Sequence, residues 1–175
     1  MIFTGKLTQF ATRQFTSAAI ILAAASSAVH AAQDGLNFGV NISQNTSNSC
    51  LIQVTQGGEM GVNGAGTEMN SKIGTGSPAK ARVLSRFGVS LQLDTVSFFT
   101  TAPPGGNLNT TFEPTYSGTS LGGAGATFAE QPGSQPVQLS QQLGLTEVTA
   151  HLKATRPDGF PSGSYTALTI LRCEP

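Results

Sequence analysis

The sequence predicts an all-β fold, an antiparallel immunoglobulin-like β-sandwich of about seven to nine strands. Three observations lead there. Apolar residues alternate with polar ones over several short stretches. The chain is punctuated by 21 Gly and nine Pro, and no helical period follows residue 31. Charged residues make up 10% of the 175, against the ~25% of an average domain. That composition excludes a coiled coil, a long helical bundle, a charge-driven disordered tail and a strongly basic nucleic-acid binder. A small barrel is the competing architecture.

The N-terminus reads as an address. Residues 1–16 carry Lys6 and Arg13 and no acid, and residues 17–29 are uncharged and mostly apolar. Val29-His30-Ala31 then places small residues at a cleavage point. The apolar stretch is thirteen residues long, short of the ~20 that a spanning helix needs. Residues 1–31 are thus expected to be a signal peptide, cleaved after Ala31 or, as second choice, after Ala32; an uncleaved helix is the competing reading. The expected mature domain, 32–175, keeps seven basic and nine acidic residues, a formal charge of 7 − 9 = −2. It is expected to be exported to the periplasm, cell surface or medium, with no membrane span after cleavage.

Along that domain, Leu36, Phe38, Val40 and Ile42 alternate with polar or small residues, as a half-buried strand does. Residues 44–49 form a polar turn. Cys50, Ile52 and Val54 share one parity, which aims the Cys50 sulfur inward. Residues 57–78, rich in Gly, read as a loop with at most a short hairpin. Ala79, Ala81 and Val83 begin a strand with Lys80 and Arg82 outward. Val89, Leu91 and Leu93 continue on one parity while Val96 and Phe98 fall on the other, so a β-bulge is expected near Asp94-Thr95. Residues 102–106 signal a turn. Residues 109–116 contain Pro114, which predicts an edge strand, and 118–125 read as a glycine-rich loop. Short strands are expected around Phe128 and Val137–Leu139. Val148, Ala150, Leu152 and Ala154 face one way, with Glu147, Thr149, His151 and Lys153 opposite. After a turn at 156–159, residues 163–173 are apolar on both parities, as in a central strand.

Cys50 and Cys173 are the only cysteines. In an oxidising compartment they have one intramolecular pairing available, which would set their two strands side by side; free thiols or an intermolecular bridge are the alternatives. Catalytic chemistry finds no foothold. His151 is the sole histidine after cleavage and lies on a polar strand face, as an ordinary exposed histidine. The nine acids are scattered, and no Trp is present. No catalytic residue, metal ligand or cofactor is therefore assigned.

Two segments carry a family resemblance: Asn48-Ser49-Cys50-Leu51-Ile52-Gln53-Val54 with its Cys-x-Ile-x-Val strand, and Gly163-Ser164-Tyr165 leading into the strand that ends at Cys173. They resemble bacterial spore coat U and chaperone–usher pilin-like secreted domains. In many pilins both cysteines lie early in the domain, whereas here one is in the last strand. The resemblance implies a non-enzymatic structural or adhesive surface protein, a pilus- or coat-like subunit. It would associate with itself or related subunits by strand addition, with a periplasmic chaperone and usher as partners. Leu36, Phe38, Val40 and Ile42 are then the candidate donor or edge strand, or else this domain's own first strand. The alternative is a soluble extracellular module that recognises a glycan or protein through loops 57–78 and 101–126.

Overall fold

The structure, a computed structural model, describes residues 35–40, through their backbone, and residues 50–174. The expected signal peptide, Ile42 and the 44–49 turn lie outside them. Among the described residues twelve strands run in order: β1 (Gly35–Val40), β2 (Cys50–Gln56), β3 (Gly58–Glu59), β4 (Gly61–Val62), β5 (Glu68–Asn70) and β6 (Ala79–Ser85). They are followed by β7 (Ser90–Leu93), β8 (Thr111–Gly123), β9 (Phe128–Pro132), β10 (Val137–Gln138), β11 (Gly144–Thr155) and β12 (Thr166–Glu174). The described residues are all-β, without a helix.

They form two sheets. One has the order β10-β7-β12-β1-β3. In the other, β11 is the axis: β8 lies along one side and carries β9 beyond it, while β6, then β5, line the other side. β2 flanks β6, and β4 flanks β5. Every pairing is antiparallel except that of β1 with β12.

The alternation in β11 explains its position. Val148, Ala150, Leu152 and Ala154 are completely buried, and Glu147, Thr149, His151 and Lys153 are half-buried on the opposite face. The small Ala81 and Ala150 let the layers approach, and the larger Val83, Leu91, Leu93 and Leu171 fill between them. Burying each such branched side chain stabilises the fold by roughly 1.5–3 kcal/mol. One core cluster joins Ile52, Val83, Tyr116 and Val148 of one sheet to Leu91, Leu93 and Leu171 of the other. A second joins Met60, Met69, Ala79 and Leu152 to Phe99, Tyr165 and Ala167. Phe99 packs edge-on against Phe112, Phe160 and Tyr165.

Several expectations need correcting. β8 is not an edge strand, because it lies between β11 and β9. Pro114 is tolerated because its carbonyl accepts from Gly133 N just past the end of β9, so its missing N–H falls where that ladder stops. The glycine-rich stretch does not begin a loop at 118, since β8 runs on through Gly123. Gly118 is there for space: a Cβ would lie 2.1 Å from the Phe128 ring. No bulge reconciles the parities after Leu93. The chain leaves the ladder, and Phe99, not Phe98, enters the core, with Phe98 59% exposed. Segment 57–78 is more ordered than a loop, for Met60, Met69 and Ser71 are buried and β5 joins β11. β12 is interior, as its two apolar faces predict.

Candidate functional site

Strand β1 pairs with β12 over six positions, from Gly35↔Thr166 to Val40↔Leu171, with Leu36 opposite Ala167 and Phe38 opposite Thr169. On its other side it meets β3 over two positions, Gly35↔Glu59 and Leu36↔Gly58. The candidate strand residues Leu36, Phe38 and Val40 thus lie in one ladder beside the last strand. Parallel ladders are slightly less stable per residue than antiparallel ones. They also need a long crossover, which here comprises all of β2 to β11.

The neighbourhood of β12 is otherwise fixed. β7 pairs with it from Leu171↔Leu93 to Glu174↔Ser90. Thr169 Oγ1 donates to Asp94 O at 2.8 Å, and Arg172 holds Asp94 Oδ2 at 2.7 Å. The Cys50–Cys173 disulfide is formed, with the two Cα atoms 6.3 Å apart. It does not set neighbouring strands side by side. Cys50 belongs to β2 in one sheet and Cys173 to β12 in the other, so the bond ties the sheets together. Both side chains pack against the first core cluster, as the shared parity of Cys50 with Ile52 predicts.

His151 is not an ordinary exposed histidine. It is half-buried, and Ser71 Oγ lies 2.9 Å from its Nδ1. Ser71 Oγ also accepts from Leu152 N at 3.2 Å, so this one hydroxyl joins the imidazole to the β11 backbone. Burial lowers the His151 pKa, and Lys72 lowers it further against the opposing effect of Glu130. Glu130 is ion-paired with Lys72 and accepts from Thr115; these bonds hold its pKa below the ordinary carboxylate value. Ser71 is buried and makes two hydrogen bonds, one with His151 and one with Leu152 N. Ser71 and His151 are 80 residues apart, and nothing in either segment alone announces their meeting.

Sequence reasoning also missed a pocket lined by Thr67, Asn109, Thr111 and Arg156 among others. Segments 57–78 and 101–126 meet at this pocket through Thr67, Glu68, Asn109 and Thr111. Among the described residues, no group of three or more His, Cys, Asp or Glu side chains is placed to hold a metal ion, and no helix is long and apolar enough to cross a membrane. No family model, curated protein or solved structure matches this chain.

Proposed function

We propose that this is a secreted, non-enzymatic structural or adhesive protein of the bacterial cell surface, an immunoglobulin-like sandwich that associates through strand addition. The observation that carries the reading is the parallel β1–β12 ladder. β1 meets the rest of its sheet over six positions on one side and two on the other. An equivalent segment from a second copy can make the same backbone hydrogen bonds with β12, the exchange that underlies both domain swapping and strand addition. The resemblance to spore coat U and pilin-like domains supports the same mechanism. So does an exposed apolar row on the outer face of the larger sheet, where Leu51 and Leu84 are register partners 50% and 39% exposed. A periplasmic chaperone and usher are the partners this reading implies.

The test compares the native protein with a Leu36→Asp/Phe38→Asp double variant, both extracted from the envelope and run without boiling or reductant. The native chain should give a ladder of species that collapses on heating, and the variant should give none. A native chain that runs only as a compact monomer, or a ladder that persists in the variant, would remove β1 from the mechanism.

A further inference from the structure

The apolar row on the outer face of the larger sheet extends beyond Leu51 and Leu84. Leu84 also faces Leu145 across the β6–β11 ladder, so three leucines stand in one row on β2, β6 and β11. Their chain neighbours Ile52, Val83, Gly144 and Thr146 are buried, which puts all three leucines on the outer side of the sheet. β8 adds Leu121, the extra residue where its register against β11 shifts between Leu145 and Thr146. Leu121 is exposed, as is Leu143 just before β11. Single exposed leucines are ordinary on a surface. A row on adjacent strands, roughly 4.8 Å apart, is a patch of the kind that marks a protein or membrane contact.

The turn beside this row carries a second signal. Phe87 lies two residues past β6, and its N–H donates to Gln141 O at 3.0 Å. It is exposed and held at φ +69°, a conformation that glycine adopts freely and a bulky side chain rarely does. Strained conformations of this kind gather at functional contacts. The Arg86 guanidinium lies over the Phe87 ring, 4.4 Å from its centroid. Arg82 is exposed on the same face as Leu84, two residues back along β6. Among the described residues neither arginine is ion-paired. Glu147, which stands opposite Arg82 in the ladder, is held by Lys80 at 3.5 Å. The patch therefore joins an apolar row to two uncompensated cations, and that combination selects the occupant. A second copy meeting this face about a two-fold axis would bring its own pair of arginines to it. An acidic peptide helix calls for a groove, whereas register partners on one face of a sheet stand level. An anionic bilayer answers both features: its acyl boundary takes the leucines and Phe87, and its phosphates take the guanidinium groups.

We propose that the Leu51–Leu84–Leu145 face, together with Phe87, Arg82 and Arg86, docks on the surface of an anionic lipid bilayer. The contact is peripheral and lies on the sheet that does not contain β1. It can therefore fail or stand while strand exchange does the opposite.

The chain has no Trp, so Phe87→Trp places a single fluorophore at the turn. This protein, recovered from the envelope, is titrated with vesicles of equal parts phosphatidylglycerol and phosphatidylcholine, and with vesicles of phosphatidylcholine alone. Only the anionic vesicles should shift the emission to the blue, and the native chain should sediment with them. Arg82→Gln/Arg86→Gln should weaken binding roughly thirtyfold, the loss of two headgroup-bound cations, and raised salt should weaken it in the native chain. Leu51→Ser/Leu84→Ser changes exposed positions only and should weaken binding at least tenfold. Phe87→Gly relieves the backbone, so it should stay folded and still bind less well. Leu36→Asp/Phe38→Asp should leave vesicle binding unchanged. No blue shift with anionic vesicles, equal binding to neutral ones, or binding that survives the leucine and arginine variants would overturn the proposal. So would a native dimer that ignores vesicles and dissociates in Leu51→Ser/Leu84→Ser, which would assign the row to a second copy.

Discussion

Removing the disulfide by Cys50→Ala/Cys173→Ala lengthens the unfolded chain's freedom more than it disturbs the folded core. The bond closes a loop across a sequence separation of 123 residues. The chain-entropy relation for a loop of that length gives about 5 kcal/mol at room temperature. A domain of this size has a total stability of ~5–15 kcal/mol, so the variant should stand close to the folding threshold. The cross-link also joins β2 to β12 across the two sheets, so nothing in either hydrogen-bonded ladder replaces it. The assay is urea unfolding of native and variant proteins followed by far-UV circular dichroism. With a slope near 2 kcal/mol per molar, the midpoint should fall by roughly 2.5 M, and the slope should rise as the unfolded ensemble expands. A loss below ~1 kcal/mol, against the ~5 kcal/mol expected, would refute the loop-closure reasoning.

Three further outcomes follow from the packing. Tyr116 is completely buried, and its hydroxyl lies 2.9 Å from Leu91 O, within reach of Gln135 O, and accepts from Gln131. Tyr116→Phe should cost about 1–3 kcal/mol by removing the one O–H that serves Leu91 O and Gln135 O and the acceptor that Gln131 uses, and an unchanged urea midpoint would count against that network. Gly118→Ala forces a Cβ into the Phe128 ring and should cost about 1–3 kcal/mol; a neutral result would return this stretch to the status of a flexible loop. His151 has a pKa lowered by burial from 6.5, so the unfolded chain binds its proton more readily than the folded one. Its contribution to stability is therefore full above pH 6.5 and is lost as pH falls through the lower folded value. Thermal midpoints measured from pH 7.5 to 5.0 should decline in the native protein and decline less in His151→Gln; parallel curves would assign the slope to other groups.

The legible part of the fold was written in strict alternation. Val148 to Ala154 and Ala79 to Val83 point inward as their period-2 spacing requires, and the two apolar parities of 163–173 place β12 between neighbours. Where a rule about one residue type competed with tertiary context, context prevailed. Pro114 reads as an edge marker until Gly133 is seen to end the ladder beside it, and Gly118 reads as a loop until the Phe128 ring fills its face. Phe98 and Phe99 differ by one position, and only the path of the chain after Leu93 decides which is buried. The sulfur parity of Cys50 was readable, but the side-by-side placement was not, because parity gives a face and not a sheet. The pocket around Arg156 could not be found from the chain order, since Thr67, Asn109 and Arg156 must be folded together to make it.

The claim that β1 can be supplied by another copy is tested most directly by cross-linking in register. One copy carries Asn37→Cys and a second carries Leu168→Cys, positions that face each other across the β1–β12 ladder. The two proteins are coexpressed and oxidised. The account predicts a covalent heterodimer joined through residues 37 and 168, recovered by peptide mapping. Bond formation only when both cysteines are on the same chain, with the mixed pair remaining monomeric, would show that β1 stays with its own domain and contradict assembly by strand exchange.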